Sequence, residues 1–168
     1  MALPKVDLVS WFNKASRLPK GRSVLDRALW QVVPFNASVK PRVIKLSEDE
    51  VVTEVALRRA VANHLGSMHA AVLVTVGEYA QGLLILANAG KLGAEIIIQR
   101  LSIEYTAKAK GTVQARCTLP PNFREHVAEA LARGENPSVT LESVLTDKKT
   151  GQQVAVFTGL WRARRPKG

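Results

Sequence analysis

The stretch from Ala70 to Gly90, "AAVLVTVGEYAQGLLILANAG", is almost unbroken in apolar character, and it limits the folds open to the chain more than any other feature. At helical spacing, Val72, Leu73, Val76, Tyr79, Leu83 and Leu86 leave no wide polar face, so a helix here must be buried almost all round. The run is about long enough to cross a bilayer. It also holds Thr75, Gln81 and, at its centre, the acid Glu78, and no basic cluster lies near its start. A central carboxylate is expensive in hydrocarbon. The segment is therefore read as the core helix of a soluble sheet protein, with no membrane partner expected.

Past the helix the period changes from 3.6 to 2. In "LSIEYTAKAKG", Leu101, Ile103, Tyr105, Ala107 and Ala109 alternate with polar residues, the pattern of a half-buried strand with one wet face. "TVQARCTL" alternates likewise. "PNFREHVAEALARGENP" reads as a short helix, with proline at its start and glycine near its end. "VTLESVLTD" and "QVAVFTGLWRARR" are two more strands around the turn "KKTGQ". Upstream, residues 6–16 and 22–32 read as short helices, the second ended by the prolines of "VVPFNASVKP". "RVIKLSEDEVVTEVAL" reads as a hairpin. Strands in hairpins around one helix imply an α+β domain, a curled antiparallel sheet wrapped around a long central helix. The chain is read as one domain over 1–168, with an N-terminal helical extension at 1–37 and the core at 38–168.

Charge narrows the partners. With 24 Lys+Arg against 14 Asp+Glu the net charge is +10, which favours anions such as a phosphate-rich small molecule, an acidic carrier protein or nucleic acid. Aromatic residues are only 5 %, and no strand carries the paired aromatics of a single-strand platform, so nucleic acid is the weaker reading. The single Cys117 cannot form an internal disulfide, and the N-terminal stretch is interrupted by Asp7, Ser10 and Asn13, unlike a signal-peptide core. A cytoplasmic protein is expected. His64 and His69 are five apart with no cysteine to join them, so no metal is expected, and no cofactor motif is present. The basic end "WRARRPKG", with Arg162, Arg164, Arg165 and Lys167, reads as a solvated strand end or as a clamp for phosphates.

Glu78 shares a helix face with Ala71, Thr75 and Gly82, all small enough to let another group come close. It is either packed against backbone, paired with Arg58, Arg59 or Arg100, or used in chemistry. Burial without a partner would raise its pKa towards that of a general base working near neutrality. The preceding loop, "NHLGSMHAA", brings Asn63, Gly66 and His69 to the start of the helix, expected near Ser67, where free amides favour an anion or a developing oxyanion. Those amides lie roughly 10–12 Å along the axis from Glu78 of the same chain. Both can serve one site only if two copies of the chain pack together, so a dimer is expected.

The string Asn63, two residues, Gly66, two residues, His69, Ala70, Ala71, six residues, Glu78 resembles that of the hotdog-fold thioesterases. It is most similar to the phenylacetate-degradation type, whose usual string is N-x2-G-x2-H-G-G-x6-D, and the resemblance covers about residues 38–165. It implies an acyl-CoA thioesterase of hotdog fold with extra N-terminal helices, forming a homodimer or a dimer of dimers. Carried over by position, Glu78 is base or nucleophile, Ala70 gives a backbone amide to the thioester carbonyl, and Asn63 orients the reacting groups. Gly66, His69, Ala71, Thr75 and Gly82 line the substrate site. Alanines stand where the family has its glycine pair, and Glu where it more often has Asp. An acyl-CoA or acyl-carrier-protein binding protein without turnover is the second reading, and a basic nucleic-acid partner the third.

Overall fold

The computed structural model describes residues 7–165, apart from the side chains at 89 and 90. Helix α1 (Leu8–Ser16) begins where Asp7 accepts the Ser10 amide at 3.0 Å, a side-chain N-cap. Residue 6, where a helix start was expected, lies outside the described residues. Helix α2 (Gly21–Val32) follows, and Leu8, Phe12 and Leu25 turn inward to the main core. The prolines do stop α2. They also leave room for one further turn, α3 (Asn36–Val39), which the sequence reading missed because Pro34 suits the start of a turn as well as the end of a helix. Asp26, buried on α2, accepts the Val43 amide at 3.0 Å and so covers an edge donor of the first strand.

The hairpin forms as expected from β1 (Arg42–Leu46) and β2 (Glu50–Val55). Helix α4 (Ala70–Leu92) is the long central helix, and Gly93, at φ +59°, ends it. Strands β3 (Glu95–Tyr105) and β4 (Val113–Thr118), helix α5 (Phe123–Ala132), and strands β5 (Ser138–Asp147) and β6 (Gln153–Arg164) complete the chain. The six strands form one antiparallel sheet in the order β1-β2-β4-β5-β6-β3. On β4, Val113, Ala115 and Cys117 point into the core as their alternation predicted, and burial pushes the Cys117 thiol up to about 12.

Polar groups fix the helix on the sheet. Gln81 is fully buried: its amide donates to Leu141 O at 2.9 Å and Phe157 O at 3.3 Å, and its oxygen accepts the Trp161 indole at 2.7 Å. Ser143 donates to the Gly77 carbonyl at 2.9 Å. The approach is close because Gly77 lacks a side chain; a Cβ there would lie 2.5 Å from Phe157 Cβ. Gly77→Ala should therefore cost about 2 kcal/mol net, overpacking outweighing the better helix propensity. A urea midpoint that falls with an unchanged slope would register this.

Helix α4 is long and apolar enough over Ala70–Asn88 to cross a membrane by composition, yet the chain's own elements cover most of it. They do not cover it all round. Ala71 is exposed, and Val74, Glu78, Gly82 and Leu86 are half-buried, one stripe at helical spacing. The cause is the sheet edge. β3 pairs only with β6, so Leu101 and Tyr105 remain 47 % and 49 % exposed although their partners Gly159 and Ala155 are buried. The helix is buried almost all round, as expected, except along this stripe, whereas the expectation of one dry strand face fails at Leu101 and Tyr105.

Candidate active site

The loop entering α4 is held by its own side chains. Asn63 Oδ1 accepts the amides of Leu65 at 2.9 Å and Ser67 at 3.1 Å, while its Nδ2 donates to Ser67 Oγ at 3.0 Å. Gly66, at φ +70°, takes the backbone turn that this closure needs. The Met68 amide donates to Ala109 O and the His69 amide to Val61 O, both at 2.8 Å, so the loop leaves in a fixed direction. Ser67 does not cap the helix: its hydroxyl is engaged by Asn63, and the helix starts three residues later, at Ala70.

His69 takes the capping role. Its Nδ1 accepts the Ala71 amide at 3.1 Å. Its carbonyl accepts the Val72 amide at 3.0 Å and, less closely, that of Leu73 at 3.4 Å. Tyr105, reaching from the end of β3, donates to the Ala70 carbonyl at 3.2 Å. The first turn is thus satisfied on every side but one. The Ala70 amide has no acceptor among the described residues, and Ala70 is exposed. An oriented, vacant donor at a helix start is suited to a carbonyl oxygen gathering negative charge.

Glu78 lies two turns further on, on the open stripe. No hydrogen bond or ion pair reaches it among the described residues. Arg58, one of the partners considered, instead donates to Ser38 O at 2.6 Å and Val39 O at 2.9 Å. Burial alone acts on the Glu78 carboxyl and raises its pKa above the ordinary glutamate value. Thr75 bonds back to Ala71 O at 2.9 Å, and so offers its hydroxyl to the helix rather than to Glu78. Gly82 keeps the space beside the carboxylate open; even a Cβ there would stand 3.7 Å from Glu78 Oε1.

Glu78 is eight residue steps along the helix from the Ala70 amide, roughly 12 Å along the axis. One chain therefore holds a carbonyl-polarising end and a base or nucleophile, but not within reach of one another. Tyr105 is the member of this constellation that sequence reasoning missed as a site residue. Its alternation marked it as inward-facing, but only the pairing of β3 with β6 brings its hydroxyl to the helix start. No cluster of three or more His, Cys, Asp or Glu able to hold a metal occurs among the described residues. At the basic end, Arg164 pairs with Glu95 at 3.0 Å, while Arg162 and Arg165 are exposed. Lys167 lies outside the described residues.

Comparison with known proteins then bears on the fold. A family model described as a domain of unknown function, DUF4442, matches residues 21–161. The chain belongs to the DUF4442 family. No curated protein matches this DUF4442 sequence. Solved structures do. A Pseudomonas aeruginosa protein of unknown function, described as a probable thioesterase, superposes with a TM-score of 0.76 at 24 % identity, over 88 % of this chain and 96 % of that one. A mutant thioesterase enzyme from Staphylococcus aureus gives 0.64 at 15 %, over 79 % and 99 %. Zebrafish thioesterase superfamily member 2 gives 0.65 at 17 %, over 82 % and 92 %. At these identities the likeness speaks for the fold, and the fold of this DUF4442 chain is the hotdog fold.

Proposed function

We propose that this DUF4442 protein is a homodimeric thioesterase, hydrolysing an acyl-CoA-type thioester in the cytoplasm at sites built between two chains. The observation that carries the reading is the half-buried Glu78 carboxylate, without a partner among the described residues, on a largely apolar helix whose first amide likewise has no acceptor among them. A charge buried without compensation destabilises a fold, and its retention is most simply explained by use. The names borne by structures of the same fold support the chemistry.

In the proposed mechanism two copies join along the free edge of β3, covering Ile97 and Leu101 and closing the open stripe of α4. Glu78 of one protomer then faces the Ala70 amide of the other across the bound thioester. The amide holds the carbonyl oxygen as charge develops on it. Glu78 takes a proton from water, which adds to the carbonyl carbon, or its carboxylate adds directly and water later releases the acid. Either route expels the thiolate, which leaves protonated as free CoA. Asn63 acts through the loop, by fixing where the amide points, and His69 by capping the helix without competing for the Ala70 donor.

A second reading, an acyl-CoA or acyl-carrier-protein binding protein without turnover, draws on a specific feature. The Ala71 amide is occupied by His69, leaving one free donor in the first turn, beside two methyl groups. A hydrolysis panel of short, long and aromatic acyl-CoAs separates the two. Release of free thiol from at least one member is expected; saturable binding without thiol release from any of them would establish the binding protein instead.

A further inference from the structure

The N-terminal segment carries large apolar side chains both in the core and on the surface. Leu8, Phe12 and Leu25 are buried in the core, whereas Trp11, Leu18, Val24 and Phe35 are 54, 64, 63 and 66 % exposed. Val32 and Val33 widen the exposed surface. So many large apolar groups over the helices and short connections of residues 11–35 exceed the single scattered residues of an ordinary surface. α1 and α2 pack on each other and share one core, so these exposed side chains stand on neighbouring elements.

The same segment is also positive: Lys14, Arg17, Lys20, Arg27 and Lys40 are all exposed, while Arg22 is turned back to Ser16 and the Phe12 ring. Among residues 7–40 the acids are Asp7, which caps α1, and Asp26, which is buried. Apolar side chains interleaved with Lys and Arg on outward helix faces match the boundary of an anionic bilayer. There the apolar groups enter the acyl margin, Trp sits at headgroup level, and long basic side chains reach lipid phosphates. A folded protein partner would more readily fit a hollow, and hollows occur elsewhere, beside α5 around Pro120 and Phe123 and on the outer side of β4 and β5.

We infer that the outward face of α1, α2 and α3 is a docking surface for an anionic lipid bilayer. The attachment is peripheral, with α4 remaining in the core, and it departs from the sequence-based expectation of no membrane partner. It stands independently of the thioesterase reading.

The test is sedimentation of the full-length protein with vesicles of phosphatidylcholine alone, or of phosphatidylcholine with phosphatidylglycerol. Association with the anionic vesicles only is expected, weakening as salt rises. Tryptophan emission should shift to the blue on binding, and the shift should shrink in Trp11→Phe. A Trp11→Ser, Val24→Ser, Phe35→Ser variant should bind at least ~10-fold more weakly. So should Lys14→Gln, Arg17→Gln, Arg27→Gln, at least ~10-fold. Both variants should keep the wild-type melting temperature, since the altered side chains are exposed. Failure to sediment with either vesicle, or equal sedimentation of wild type and variants, would overturn the proposal. A change of oligomer size in the apolar variant would also overturn it, by making the face a contact between protein chains.

Discussion

Glu78→Gln should lower thioester turnover by at least ~10²-fold, the usual loss when a general base is removed, and leave the protein folded. Gln keeps the size of Glu but can neither take a proton from water nor add as a carboxylate. Stability should move the other way from activity. Burial raises the carboxyl pKa of folded Glu78, so between the ordinary glutamate value and that raised value the unfolded chain ionises first. Ionisation then favours unfolding, and the penalty grows as pH rises through this window, reaching its full size above the folded pKa. The variant should therefore melt higher than wild type at neutral pH, with the gap closing below the ordinary glutamate range. Wild-type activity should fall on acidification with a midpoint above that range, and the residual activity of the variant should lack this limb. If Glu78 were half of a structural ion pair, the same change would instead cost about 3–5 kcal/mol. Melting curves and hydrolysis rates on one preparation separate the two.

Ala70→Pro should cost about 10²–10³-fold in kcat, with little change in stability. Ala70 is the first residue of α4, the helical position where proline is best tolerated, because the N–H it lacks has no helical acceptor. Here that N–H is the vacant donor, and the His69 contact to the Ala71 amide survives the change. The substitution thus deletes one hydrogen-bond donor with little else disturbed. Ala70→Gly is the control: it keeps the N–H, matches the glycine found in the resembled thioesterases, and should retain turnover. Equal losses in both variants would mean that the methyl group or the helix start matters, and not the amide.

Much of the fold could be read from the residues because the signals were local and mutually consistent. The apolar run at 70–90 is the core helix, and the period-2 segments after it contain strands. However, β3 runs Glu95–Tyr105, so it begins before the alternation expected from Leu101 and stops short of Ala107 and Ala109. The helix start was misplaced, since Ser67 is a good cap by type but is engaged by Asn63, four residues away. What the sequence could not convey was where cover runs out. Leu101 and Tyr105 alternate like core residues, and only the strand order, with β3 at the end of the sheet, leaves them exposed. For the same reason the one uncovered stripe of α4, with Glu78 on it, is a property of topology rather than of helical periodicity. The loop residues were legible as a group, through their likeness to a known string. The division of labour among them, with His69 capping and Tyr105 bracing the first turn, needed coordinates.

A mixed dimer tests the two-chain site most directly. Glu78→Gln and Ala70→Pro chains can be co-expressed with different affinity tags and the hetero-pair purified through both. Each parent lacks a different half of the chemistry, so each homodimer should be nearly inactive. In the hetero-pair the chain carrying Ala70→Pro still has its Glu78, and the chain carrying Glu78→Gln still has its Ala70 amide. Two-fold symmetry then leaves one of two sites intact, and about half of wild-type turnover should return. A hetero-pair as inactive as its parents, or the absence of any pair to purify, would contradict a site shared between two chains.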